Sequence, residues 1–181
     1  MKKKLGFAMP AVAALVLASV IGMHAFAGGG KTNVTADVLT GYQESTPAAV
    51  NSQATGTFNA TIDDASQTIT FEETYSGLSA PATVSHIHFG NRAQNGGVIA
   101  FLCGGGGQAA CPAGTTSEAD ITGTITPANI VGPAGQGIPA GDWQALADAL
   151  RAGVAYANVH DGTFPAGEIR GQINDDNQRQ P

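Results

Sequence analysis

The chain is short of positive charge. Eight Lys and Arg stand against 14 Asp and Glu, and three of the eight are Lys2, Lys3 and Lys4. From Gly28 onward, five basic residues face fourteen acidic ones, a net charge near −9. Such a surface repels phosphate backbones and anionic lipid, which argues against nucleic acid as a partner and leaves room for a cation. Catalytic signatures are missing too. There is no G-x-S-x-G elbow and no G-x-G-x-x-G between a strand and a helix, and the run Gly104–Gly107 precedes no helical pattern. Ser85 adjoins His86, but strand neighbours face opposite ways and cannot form a nucleophile–base pair. Glu72-Glu73 and Asp175-Asp176 read as solvated charge. No enzyme is expected from these residues, and no internal repeat is present.

Long apolar runs are confined to one place. Leu5 to Met23 carries no charge, follows three lysines and leads into His24-Ala25-Phe26-Ala27, with small residues at the two positions a signal peptidase reads. This predicts a signal peptide over residues 1–27, cleaved after Ala27, and a secreted or periplasmic protein with no membrane attachment after cleavage. An uncleaved anchor is the alternative, since the run is about long enough to span a bilayer; the Ala-x-Ala ending and Gly28 to Gly30 favour cleavage. No cysteine follows the run, which argues against a lipoprotein. The 154 residues left suit one domain, placed at 28–173, with a polar tail over 174–181.

Only two cysteines occur, Cys103 and Cys111, flanking Gly104-Gly105-Gly106-Gly107-Gln108-Ala109-Ala110. In an oxidising compartment such a pair most simply forms a disulfide. Closing so glycine-rich a loop should recover about 2–3 kcal/mol. Two thiolates clasping a metal is the alternative, but the spacing exceeds that of zinc ribbons.

Alternating apolar and polar residues, bounded by Gly, Pro, Asn and Asp, predict strands at Asn33–Leu39, Ala54–Ile62, Thr68–Ser76, Thr83–Phe89, Gly97–Leu102, Ala119–Thr126, Val154–His160 and Glu168–Ile173. Asp63 to Gln67 reads as a hairpin loop. Eight short strands imply an all-β sandwich or barrel. One helix interrupts them: Asp142 is a good N-cap, Trp143, Leu146 and Leu150 share a face, and Gly153 is a stop, so a helix over Trp143–Ala152 should cover one end of the sandwich. The Gly- and Pro-rich stretch Pro127–Ala140 reads as a loop.

Period-two geometry puts His86 and His88 on one face of their strand. It likewise groups Tyr156, Asn158 and His160, and then Glu168, Arg170 and Gln172, on the outer face of a sheet. A simple hairpin between the last two strands sets His160 opposite Glu168 and Asn158 opposite Arg170. His-x-His with a third His on a neighbouring strand is a site for Cu or Zn. Glu168 would then be a ligand or a partner fixing a tautomer, with Asn158 and the extra carboxylate of Asp161 beside it. Alternatively, His86 and His88 hydrogen-bond to Asn158, Glu168 or backbone and organise a polar network without metal. His86, His88 and His160 are the only histidines after residue 27.

Two stretches carry a resemblance. Ser76-Gly77-Leu78-Ser79, Ala82 to Gly90 (A-T-V-S-H-I-H-F-G) and Asn95-Gly96-Gly97-Val98 resemble the first half of a CHRD domain. Ala149 to His160, with Y-A-N-V-H at its end, and Pro165 to Ile173 (P-A-G-E-I-R-G-Q-I) resemble its second half. The resemblance spans about Asn33 to Ile173. It implies an immunoglobulin-like, Greek-key β-sandwich of about eight strands; Arg170 and Gln172, from their place on the last strand, are expected to be structural. It implies an exported binding or structural module rather than an enzyme. The chain departs from the family pattern at Asp161, where Thr is usual, and in its glycine-rich Cys103–Cys111 loop. A looser likeness to copper–zinc superoxide dismutases rests on the H-x-H strand, but those enzymes need more histidines than are present.

Two functions follow. One is a cell-envelope or extracellular module recognising a protein or glycan through the sheet face or the Pro127–Ala140 loop. The other is a periplasmic Cu- or Zn-binding protein using His86, His88 and His160.

Overall fold

The structure, a computed structural model, describes residues 30–45, 47–117 and 121–174. The expected signal peptide, and the tail beyond Asn174, lie outside the described residues. Eight antiparallel strands form: β1 (Lys31–Thr40), β2 (Thr55–Asp63), β3 (Thr68–Ser76), β4 (Ala82–Phe89), β5 (Val98–Cys103), β6 (Ile121–Ile125), β7 (Ala155–Asp161) and β8 (Ile169–Ile173). Helix α1 (Trp143–Arg151) lies between β6 and β7. The stretch read as a loop holds two short 3₁₀ turns, Pro127–Asn129 and Ala134–Gln136, and no strand.

The expected division into two sheets is not seen. Hydrogen bonding runs through one sheet in the order β5-β4-β7-β8-β1-β2-β3-β6, and its edge strands β5 and β6 approach each other so that the sheet nearly closes. One link is thin: β1 meets β8 only at Thr40 opposite Arg170, extended by Asn174 N–H donating to Thr35 O at 2.7 Å. The sheet folds over on itself at this seam.

Alternation builds the core directly. Phe58, Ala60 and Ile62 of β2 and Ile69, Phe71, Glu73 and Tyr75 of β3 are buried while the residues alternating with them face outward. The β2–β3 turn is held by Asp63 Oδ1, which accepts from Ala65 N (3.0 Å) and Ser66 N (3.3 Å). In α1 the Asp142 carboxylate accepts from Ala145 N, capping the helix. Trp143, Leu146 and Leu150 are buried, and Gly153 takes a φ of 71° at the stop. Among the described residues no helix is long and apolar enough to cross a membrane.

Cys103 and Cys111 are disulfide-bonded, as expected, which fits an oxidising compartment. Glu73 corrects another expectation. Instead of being solvated with Glu72, it is fully buried on the core side of β3. There it accepts from Ser85 Oγ at 2.8 Å, its Oε2 has no partner among the described residues, and burial pushes its pKa up to about 8.

Candidate metal centre

The site is built on the middle of the sheet. In register, His86 stands opposite Asn158, His88 opposite Tyr156 and Val84 opposite His160, while Asn158 faces Arg170 and Tyr156 faces Gln172 on β8. Ala155, Ala157 and Val159 point the other way into the core. This second face was expected to be open to solvent. It is buried instead: every residue of β7 and β8 is buried, because the loops around Glu44, Asn91–Gly96 and Pro165 cover it.

Burial makes an orphaned polar group cost about 1–3 kcal/mol, and most of the polar groups there find a partner. Asn158 Nδ2 donates to Glu44 Oε1 (2.6 Å) and Ile169 O (2.9 Å). Arg170 donates to Ser45 Oγ (2.7 Å) and Asn91 O (2.9 Å), and its guanidinium lies 3.4 Å from the centroid of the Tyr156 ring. Gln172 Nε2 donates to Gly90 O and Gly153 O, while its buried Oε1 has no partner among the described residues. The Tyr156 ring also stacks parallel to His88, with centroids 4.8 Å apart.

The three imidazoles converge. Ring centroids are 5.2 Å apart for His86–His88, 4.9 Å for His86–His160 and 6.0 Å for His88–His160. One nitrogen from each lies within 4.8 Å of the others. Two backbone carbonyls orient them. His88 Nδ1 is 2.9 Å from Gly96 O and His160 Nδ1 is 3.2 Å from Pro165 O. A carbonyl only accepts, so both rings carry hydrogen on Nδ1 and keep a lone pair on Nε2. His160 Nε2 accepts from His86 Nδ1 at 3.2 Å. His88 Nε2 is buried with no partner among the described residues.

Electrostatics keep the cluster neutral. Burial first, then the neighbouring imidazoles, depress His86 to about 3. Burial likewise depresses His88 to about 4, against the Gly96 hydrogen bond, and lowers His160, opposed by Pro165 and the Asp161 charge. Neutral imidazole is the form that ligates. Two nitrogens about 2.0 Å from a tetrahedral ion lie about 3.3 Å apart, close to the His86–His160 separation. The longest edge, at 4.8 Å, would have to contract by about 1.5 Å to reach that tetrahedral spacing.

The carboxylates expected beside the histidines are engaged elsewhere. Glu168 accepts from Ser52 Oγ (2.5 Å), Ser79 N (2.9 Å) and Ser79 Oγ (2.8 Å). Asp161 accepts from Ala80 N (2.7 Å), Thr163 N (2.9 Å) and Phe164 N (2.5 Å). Neither bonds an imidazole among the described residues; the carbonyls of Gly96 and Pro165 fill that role. The alternative polar network is met only in part, since the histidines bond one another and backbone, not Asn158 or Glu168. Glu44 was missed entirely, and nothing in its sequence context marks it. Phe101 was missed as well: it faces His86 across β4–β5, with centroids 4.6 Å apart.

An all-β domain stapled by one disulfide and carrying three imidazoles under a lid of loops is a small β-rich module with a buried ligand-competent cluster. The CHRD domain family model matches residues 35–173, so the chain belongs to the CHRD domain family. Neither the curated proteins nor the solved structures contain a match.

Proposed function

We propose that this CHRD domain is a metal-binding module, holding one Cu or Zn ion on His86, His88 and His160. The observation that carries this reading is the buried, unpartnered Nε2 of His88 beside the His86–His160 pair. Glu73 Oε2 and Gln172 Oε1 are also buried without a partner among the described residues, but of the three only His88 Nε2 sits within a cluster of three imidazoles, where an ion would take up its lone pair. On binding, His86 gives its Nδ1 proton to Nε2 and turns its Nδ1 lone pair inward, with no net change in charge. The module is exported and binds rather than catalyses; its disulfide and its acidic surface fit that setting.

The test is calorimetric titration of Cu(II) and Zn(II) into untagged protein. One-to-one binding at micromolar affinity or tighter, lost in both His88→Ala and His160→Ala, is the expected result. Absence of heat for both metals sinks the reading.

A further inference from the structure

The glycine-rich disulfide loop has a place in this site. Gly105 and Gly106 lie flat on the Phe101 ring: a Cβ on Gly105 would stand 2.6 Å from Phe101 Cε1, and one on Gly106 would stand 2.5 Å from Cδ2. Only glycine allows that approach. The same ring meets His86 edge-on, with centroids 4.6 Å apart. The loop is also tied inward and across, by Gly104 N to Ala109 O (2.7 Å), Asn129 Nδ2 to Gly106 O (3.2 Å) and Gln108 Nε2 to Thr124 O (3.2 Å). It thereby bridges the two edge strands.

His86 needs that wall. His88 and His160 are each oriented by a backbone carbonyl, but the only hydrogen bond of the His86 ring among the described residues goes to His160. Besides that bond, the ring is held by edge-on contacts with His88 and Phe101. Without the crosslink, four successive glycines regain more backbone freedom than any other four residues. The Phe101 ring then loses the loop as one of its walls and keeps its contact with His86.

We propose that the disulfide assembles the metal site: oxidation of Cys103 and Cys111 clamps the glycine loop on Phe101, Phe101 sets His86 for coordination, and metal loading is thereby confined to an oxidising compartment. This rests on the three-histidine reading above. In the step itself two thiols give up two protons and two electrons to a disulfide-bearing oxidant, which leaves as a dithiol while the Sγ–Sγ bond forms. Cys111 is partly exposed, so a dithiol reductant can reverse it.

The experiment uses the untagged chain, the Cys103→Ser/Cys111→Ser double variant and Gly105→Ala with its disulfide intact. Cu(II) and Zn(II) dissociation constants come from competition with a chromophoric chelator, and imidazole ¹H–¹⁵N spectra are recorded on the metal-free proteins. Both variants should bind about tenfold more weakly or worse. Their His86 ring signals should shift or broaden while those of His88 and His160 stay. Unchanged affinity in a folded double-serine variant, with His86 signals unmoved, overturns the proposal. If that variant does not fold, Gly105→Ala decides by the same two readouts. If the wild-type chain binds neither metal, the three-histidine reading fails on its own. The His86 signals of the metal-free proteins then decide alone whether the disulfide sets the ring.

Discussion

His88 Nδ1 and the carbonyl oxygen of Gly96 stand 2.9 Å apart, and that contact decides which nitrogen of the ring is left to bind. The same holds for His160 and Pro165 O. At pH 7 the metal-free protein should therefore show His88 and His160 as Nδ1–H tautomers in long-range ¹H–¹⁵N spectra, and should keep them so when Zn is added. His86 alone should change tautomer on binding. Nε2–H signals from His88 or His160 would mean the carbonyls do not orient them.

Arg170 is 2% exposed and ties β8 to two covering loops through Ser45 and Asn91 while lying on Tyr156. Removing it leaves Asn91 O with Gln94 N as its remaining donor and the Glu44 carboxyl without its nearby cation. Arg170→Ala should cost about 3 kcal/mol or more in a urea melt. Arg170→Lys should recover only a minor part, because a single ammonium cannot span both oxygens while covering the ring.

Glu168 separates architecture from ligation. Its three hydrogen bonds hold Ser79 and Ser52, not a histidine. Glu168→Gln should lower stability by about 1–3 kcal/mol, yet leave Cu and Zn affinity within about twofold of wild type, well short of the loss from an orienting group. A tenfold loss of affinity would instead return Glu168 to the metal site.

The pairing of Asn158 with Arg170, the shared face of His86, His88 and His160, the helix cap at Asp142 and the disulfide were all legible from spacing. Each depends on a local rule: period two, period 3.6, or proximity along the chain. What escaped was set by distant segments. Glu44 and Gly96 reach the cluster from loops whose docking no periodicity encodes, and those loops turn an expected outer face into an interior. The single sheet escaped too, because alternation says which side a residue faces but not which strand lies beside it. Glu73 was different. Phe71 and Tyr75 flank it two residues away on either side, so period two already pointed it inward; its neighbour Glu72 made the pair look like surface charge.

The buried acid and the buried imidazoles together shape stability against pH. Glu73 has its pKa raised from 4.5 to about 8 by burial, against the Ser85 hydrogen bond. Between those values the folded chain holds a proton the unfolded chain has released. Its contribution is full below pH 4.5 and is lost as pH rises through 8, at up to about 1.4 kcal/mol per pH unit. Glu44, raised to about 7 by burial against the Asn158 hydrogen bond, adds to the same limb. His86 and His88 act oppositely: depressed from 6.5 to about 3 and about 4, they contribute fully above pH 6.5 and lose it as pH falls toward those values. The metal-free protein should be most stable between about pH 5 and 6.5 and weaken on either side. Glu73→Gln, neutral at every pH, should remove most of the alkaline limb, so its stability relative to wild type should rise steadily from pH 5 to pH 8 in urea melts. A difference that stays flat across that range would mean Glu73 is already ionised in the folded protein.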